Sequence, residues 1–250
     1  MRFCHVLPLL LAGALPWSAR GVVFSSSVEN IFAPIPDGDF DGIQSSQTLS
    51  GIPGPIADVN VTLTLSGGFN GDFYVYLFHN NVSAILLNRV GRSSTSGVGY
   101  PDAGFGPDGS SIRFTFDDQA ARDVHAYRTL GFALNASGQL TGSWQPDARA
   151  IDPLSAGSAF DSAARSSMLG LFNGMDPNGA WSLLVSDVSS GAEGTLVNWG
   201  LQITAVPEPA SALLLGLGLV LLVCRPQRRH GGWVREGEPV ATLSPLPARP

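Results

Sequence analysis

Residues 59–65, VNVTLTL, put Val59, Val61, Leu63 and Leu65 on one side of an extended chain and Asn60, Thr62 and Thr64 on the other. A helix would scatter that apolar set around its axis; a strand gathers it on one face. The segment is therefore a half-buried strand. GGFNG at 67–71 follows, and its Asn70-Gly71 pair predicts a tight hairpin. The return strand, DFYVYLFH at 72–79, is apolar or aromatic on both faces, which predicts a central position in its sheet. Residues 83–88 and 111–117 read as further strands, the latter with Ile112, Phe114 and Phe116 inward. DPNG at 176–179 turns into a strand at 181–186, and residues 194–204 add another carrying Leu196, Trp199, Leu201 and Ile203. Between residues 22 and 205 no helix-period segment of useful length occurs, and the 30 Gly and 18 Pro supply turns. The expected fold class is all-β: a jelly-roll or Greek-key β-sandwich, with a barrel as the other way to close such strands.

The two ends differ from this body. Residues 1–21, MRFCHVLPLLLAGALPWSARG, carry an early Arg, a short apolar core and small residues near the end, the pattern of a signal peptide cleaved before Val22. Near the other end stands VPEPASALLLGLGLVLLVCRPQRR, residues 206–229. Its apolar run at 210–224 is too apolar for a surface helix and short for a bilayer span, and the arginines that close it would stay cytoplasmic. Residues 230–250 are Pro-rich and read as a disordered tail. The order Pro207-Glu208-Pro209, apolar run, then Arg225, Arg228 and Arg229 resembles the PEP-CTERM sorting signal of Gram-negative bacteria. That resemblance implies a transient membrane anchor recognised by an exosortase-type membrane protease. It also implies export across the inner membrane and delivery to the cell surface or the extracellular matrix.

The body has a second resemblance. Gly179, Trp181, Leu183 and Asp187, followed by Gly194, Leu196, Trp199 and Leu201, are similar to the closing half of the P domain (Homo B) that follows the catalytic domain of subtilisin-like and kexin-like proteases. The Asp58-Val59 strand and the Gly71-Asp72 strand resemble the family's first half. Where the family has a Ser-Pro-x-Gly-Thr turn, this chain has Asn80-Asn81-Val82-Ser83, and residues 105–165 do not align. The resemblance implies a jelly-roll sandwich in which Asp72, Gly179, Trp181, Gly194, Leu196 and Trp199 are structural.

Charge and chemistry narrow the function. Between residues 22 and 205, 17 Asp and Glu face 7 Arg, so the body is ten charges negative and suits no nucleic acid. Both cysteines, Cys4 and Cys224, lie outside the body, which excludes a disulfide framework or a thiolate metal site there. No G-x-S-x-G or H-E-x-x-H occurs. His79 reads as a packed strand end and His125 as a surface residue. Asp117-Asp118 would point to opposite faces, so the pair cannot flank one bond. No enzyme is expected. Asp37-Gly-Asp39-Phe-Asp41-Gly42 has alternate carboxylates before a Gly, the way short loops gather calcium ligands; the other reading is an acidic turn opening the sandwich. The P-domain resemblance adds Asp58 and Asp187 as further calcium candidates. The expectation is a non-enzymatic exported module that presents loops to exopolysaccharide or surface proteins, with Tyr100 and Trp144 as candidate sugar-stacking residues. The rivals are a dedicated carbohydrate-binding module and an accessory P domain working with a separate subtilisin-like protease.

Overall fold

A computed structural model of the protein describes residues 21–110 and 112–206. The expected leader, sorting segment, transmembrane helix and tail lie outside these residues, apart from Gly21 and Val206. Eleven strands are described: β1 (Val22–Val28), β2 (Ala33–Ile35), β3 (Asp39–Leu49), β4 (Ile56–Gly67), β5 (Phe73–His79), β6 (Val82–Asn88), β7 (Gly104–Phe105), β8 (Thr115–Phe116), β9 (Ser143–Trp144), β10 (Gly179–Asp187) and β11 (Gly194–Ala205). A single α-helical turn, α1 (Gly157–Ser162), stands among them. No described helix is long and apolar enough to cross a membrane.

The strands form two sheets. The first runs β1-β11-β4-β8-β9, with β2 against β11 and β7 against β4; the second runs β3-β10-β5-β6. The antiparallel pairs β1·β11, β3·β10, β4·β8 and β5·β6 are nested in sequence. A chain folded back on itself and then wrapped into two sheets has this order, which is that of a jelly roll. The inner faces meet as the alternation dictates. Val59, Val61, Leu63 and Leu65 of β4 are wholly buried, as are Val75 and Leu77 of β5, Leu183 and Val185 of β10, and Leu196 and Ile203 of β11. Burying each such side chain contributes about 1.5–3 kcal/mol. Trp181 and Trp199 join this core with their polar edges satisfied: their indole N–H groups donate to Pro177 O and Ser45 Oγ, at 2.9 and 2.8 Å.

The expected hairpin at Asn70-Gly71 is a crossing between sheets, because β4 belongs to the first sheet and β5 to the second. The Asn70 side chain explains the difference. It is wholly buried, donates to Tyr127 Oη and accepts from Gly104 N at 2.8 Å. Those partners lie far along the chain and hold the corner open. The corner itself turns at Gly67 and Gly68, both with positive φ; a Cβ at Gly68 would lie 2.4 Å from the Phe73 ring. The true two-residue hairpin joins β5 to β6 through Asn80 and Asn81, at φ 45° and 65°. Asn tolerates this left-handed region better than other non-glycine residues, and two such residues make the turn whose twist suits a hairpin. The strand expected at 111–117 shortens to β8, with Phe114 and Phe116 buried and Ile112 exposed to solvent.

Residues 89–178 carry little ladder and are fastened by charge. Asp102 accepts from Tyr127 Oη and takes the Arg128 guanidinium through both oxygens. Arg149 bridges Asp147 and Asp123, and Arg165 also reaches Asp123. His125 is buried in this network, not at the surface: Nδ1 meets Asp147 Oδ2 at 2.6 Å and Nε2 meets Arg92 O at 3.0 Å. A surface reading fails because the Asp147 carboxylate, wholly enclosed, needs donors around it.

Candidate functional site

The outer face of the second sheet is assembled by strand register. On β5 the inward residues Phe73, Val75, Leu77 and His79 are buried, which leaves Tyr74, Tyr76 and Phe78 on the opposite face. Across the ladder Phe78 stands beside Ser182, Tyr76 beside Leu184 and Tyr74 beside Ser186. One strand further, Ser182 pairs with Ser46 and Leu184 with Gln44. A hydrogen-bonded polar row therefore runs next to the aromatic one: Ser46 Oγ and Ser182 Oγ are 2.8 Å apart, and Gln44 Nε2 donates to both hydroxyls. Phe40, at the start of β3, adds a fourth aromatic ring, nearly parallel to Tyr74 with centroids 6.1 Å apart; Tyr74 and Tyr76 are 5.7 Å apart. Phe40 and Phe78 are 48% and 40% exposed, unusual for aromatics grouped on one face.

Phe40, Tyr74, Ile85 and residues 150–154 line an open groove of about 620 Å³. Asn88 fixes the 150–154 segment by donating through Nδ2 to Arg149 O and Ile151 O, both at 2.9 Å. Asp152 turns the segment, accepting the Leu154 N–H at 2.8 Å. Burial pushes the Tyr74 hydroxyl above its ordinary pKa, with the neighbouring Tyr76 and Asp152 adding to the shift.

The expected sugar-stacking residues lie elsewhere. Trp144 is wholly enclosed, donates through Nε1 to Thr141 O at 2.9 Å and sits beneath the Arg122 guanidinium; Tyr100 is half-buried edge-on to Tyr127. Both read from the sequence as aromatics near loops, but a Trp gains from enclosure and needs only one acceptor. The residues found here were visible in the sequence as FYVYLFH, whose second apolar face faces solvent.

The calcium candidates do not fit one shell. Asp37 accepts the Gly191 N–H at 2.9 Å, Asp39 Oδ1 accepts the Asp41 N–H, and Asp39 to Gly42 belong to strand β3 rather than to a loop. Asp58 lies on the first sheet, where the charges nearest it are Asp117 and Asp118. Among the described residues no three His, Cys, Asp or Glu side chains gather as metal ligands. Asp187 faces Asp39 across the β3·β10 ladder and differs from the other candidates in its burial. It is wholly buried, its Oδ2 has no partner, and burial pushes its carboxyl up to about 6, with Asp72 and Asp37 adding repulsion. Asp72 itself is held by Arg89 at 3.1 Å. Gly179 opens β10 at positive φ, and Gly194 packs so closely that a Cβ there would lie 2.7 Å from the Phe73 ring.

The remaining titratable candidates are structural in geometry. His79 stacks on Trp181 at 3.9 Å, with its ring nitrogens at hydrogen-bond distance from Ala180 O and Asp176 O. Asp118 accepts the Leu169 and Gly170 N–H groups at the start of a short 3₁₀ turn, and Asp117 accepts the Gln119 N–H.

The sorting residues Pro207, Glu208, Pro209, Arg225, Arg228 and Arg229 lie outside the described residues. The last described contact is Val206 N–H to Pro55 O at 3.0 Å. The PEP-CTERM protein-sorting motif matches residues 205–229. This motif implies export and membrane-associated sorting in Gram-negative bacteria, where proteins that carry it are processed by exosortase. No curated protein matches the chain. Among solved structures, the serine protease of Aeromonas sobria, alone and in complex with the chaperone ORF2, is 15% identical with a TM-score of 0.40. The match covers 74% of this chain and 27% of that one, and at this TM-score it carries no argument about the activity.

Proposed function

We propose that the protein is a non-enzymatic surface or matrix module, exported, sorted through its C-terminal signal, and displaying the outer face of the second sheet to a partner outside the cell. One observation carries this reading: the described strands run from one expected processing point to the other. Val22, the residue after the expected leader cleavage, pairs with Ala205, the first residue of the sorting match. Entry and exit of the sandwich thus lie side by side. Removal of both ends takes away none of the described strands, so a processed body would keep them.

His79, His125 and the Asp117-Asp118 pair are engaged in packing and capping, which supports a binding rather than a catalytic role. The aromatic face gives such a module something to bind with. No step in this reading runs through calcium.

The test is the intact mass of the protein recovered from its host, with envelope and medium analysed separately. The reading expects a species that begins at Val22 and ends at or near Pro207–Pro209. A mass that retains residues 210–250, found only in membranes, would overturn the sorting part of the reading and leave a permanently anchored protein.

A further inference from the structure

We propose that the groove between Phe40, Tyr74 and residues 150–154 binds an uncharged pyranose chain. This rests on the binding-module reading and names the ligand class of that site. A pyranose ring has an apolar C–H face and a rim of hydroxyls, so a site for it needs an aromatic plane with hydrogen-bonding groups at its edge. The groove supplies both. Phe40 and Tyr74 give two nearly parallel rings, and the Tyr74 hydroxyl and Asp152 carboxylate give polar edges. Asp152 uses Oδ1 on the Leu154 N–H; its other oxygen has no partner among the described residues, and it can accept a sugar hydroxyl. The groove of about 620 Å³ is open to solvent, as a site that lets a long polymer run past it must be. Its 150–154 segment is pinned by the two Asn88 hydrogen bonds, so little ordering is required on binding.

Charge selects within carbohydrates. Asp152 is the one charged residue lining the groove, and the body around it is ten charges negative. Uronate or sulfated polymers are repelled by that field, and no basic side chain lines the groove to hold them. The aromatic row continues along β5 through Tyr76 and Phe78, beside the Gln44, Ser46 and Ser182 row. Alternate residues of a strand repeat about every 6.6 Å, the scale of one sugar ring, so a polymer can lie along the strand beyond the groove.

The experiment is affinity electrophoresis of the full chain, in a detergent without a sugar headgroup, through gels containing dextran, laminarin, hydroxyethyl cellulose or mannan, with alginate as the charged control. At least one neutral polymer is expected to retard the protein and alginate to leave it unaffected. Tyr74→Ala and Phe40→Ala should each weaken retardation about tenfold or more, as loss of an aromatic anchor does. Asp152→Asn should weaken it less, and Ile112→Ser, at an exposed site away from the groove, should not change it. Phe40 is exposed, so its variant tests the groove even if Tyr74→Ala misfolds. Retardation by no neutral polymer, equal retardation by alginate, or retardation that survives Phe40→Ala would each overturn the proposal. The mass measurement reports on sorting independently, so failure of one reading is separable from failure of the other.

Discussion

β4 and β5 are consecutive strands with equally buried inner faces and opposite outer ones. Outside β4 the first sheet shows Asn60 and Thr62, which line a groove with Ser25, Arg113, Thr115 and Gln202. Outside β5 the second sheet shows Tyr74, Tyr76 and Phe78, with Phe40 beside them. An antiparallel sheet needs only one apolar face to fold, and the first sheet has no more than that. The second carries a row of aromatic rings on its outer face, Phe40 and Phe78 exposed and Tyr74 and Tyr76 half-buried, which fits the proposed binding surface. A sheet can thus present its function on the face that folding leaves unconstrained.

The sharpest way to break the comparison is through the inner faces. Leu63→Ala in β4 and Leu77→Ala in β5 should each cost about 2–5 kcal/mol of unfolding free energy by urea denaturation, because both side chains are wholly buried. A much smaller cost in β5 would mean that its core side is not the side described.

Asp187, at the inward end of β10, gives the next largest effect. Its carboxyl is pushed up to about 6, so between about pH 4 and 6 the folded protein holds a proton that the unfolded chain releases. Stability therefore falls as pH rises through that window and stays low above it. Asp187→Asn should remove the fall. The variant should be about 1–3 kcal/mol more stable than the parent at pH 8 and match it near pH 4, measured by denaturation at both values. A variant less stable at pH 8 would show that the charge is compensated.

The hairpin that sets β5 against β6 comes next. Asn81→Ala should cost about 1 kcal/mol, since Ala tolerates φ 65° poorly; Asn81→Gly should be neutral or slightly stabilising by the same denaturation assay. Millimolar calcium should give the smallest effect, a change in melting temperature of less than about 1 °C, because ligand stabilisation requires a site that binds. A rise of several degrees that Asp187→Asn abolishes would place a cation on that carboxylate.

The same two strands show how far the sequence could be read. The alternation of β4 is local, so strand identity follows from spacing; that leaves sandwich or barrel open, and the resemblance of β10 and β11 to the P domain points to the two-sheet sandwich. The crossing at Asn70 was hidden because its determinants, Tyr127 and Gly104, are distant in the chain. The network around Asp147 joins residues 92, 123, 125, 149 and 165, with no period to reveal it. For the candidate site the residues were legible but not their exposure. FYVYLFH reads as a strand buried on two faces, and only the absence of a layer over Tyr74, Tyr76 and Phe78 makes it a surface. Tyr100 and Trp144 were drawn the other way, because an aromatic near a turn gives no sign of the shell that encloses it.

The central claim is that the aromatic outer face is not needed for folding, and urea denaturation of the double variant Tyr76→Thr/Phe78→Thr beside Leu77→Ala tests it most directly. Thr keeps strand propensity while removing both rings. The account predicts that the double variant loses at most about 1 kcal/mol, less than the single inward substitution, as exposed cross-strand pairs contribute little. A loss as large as that of Leu77→Ala would contradict it, because the rings would then belong to the core and not to a face held ready for a partner.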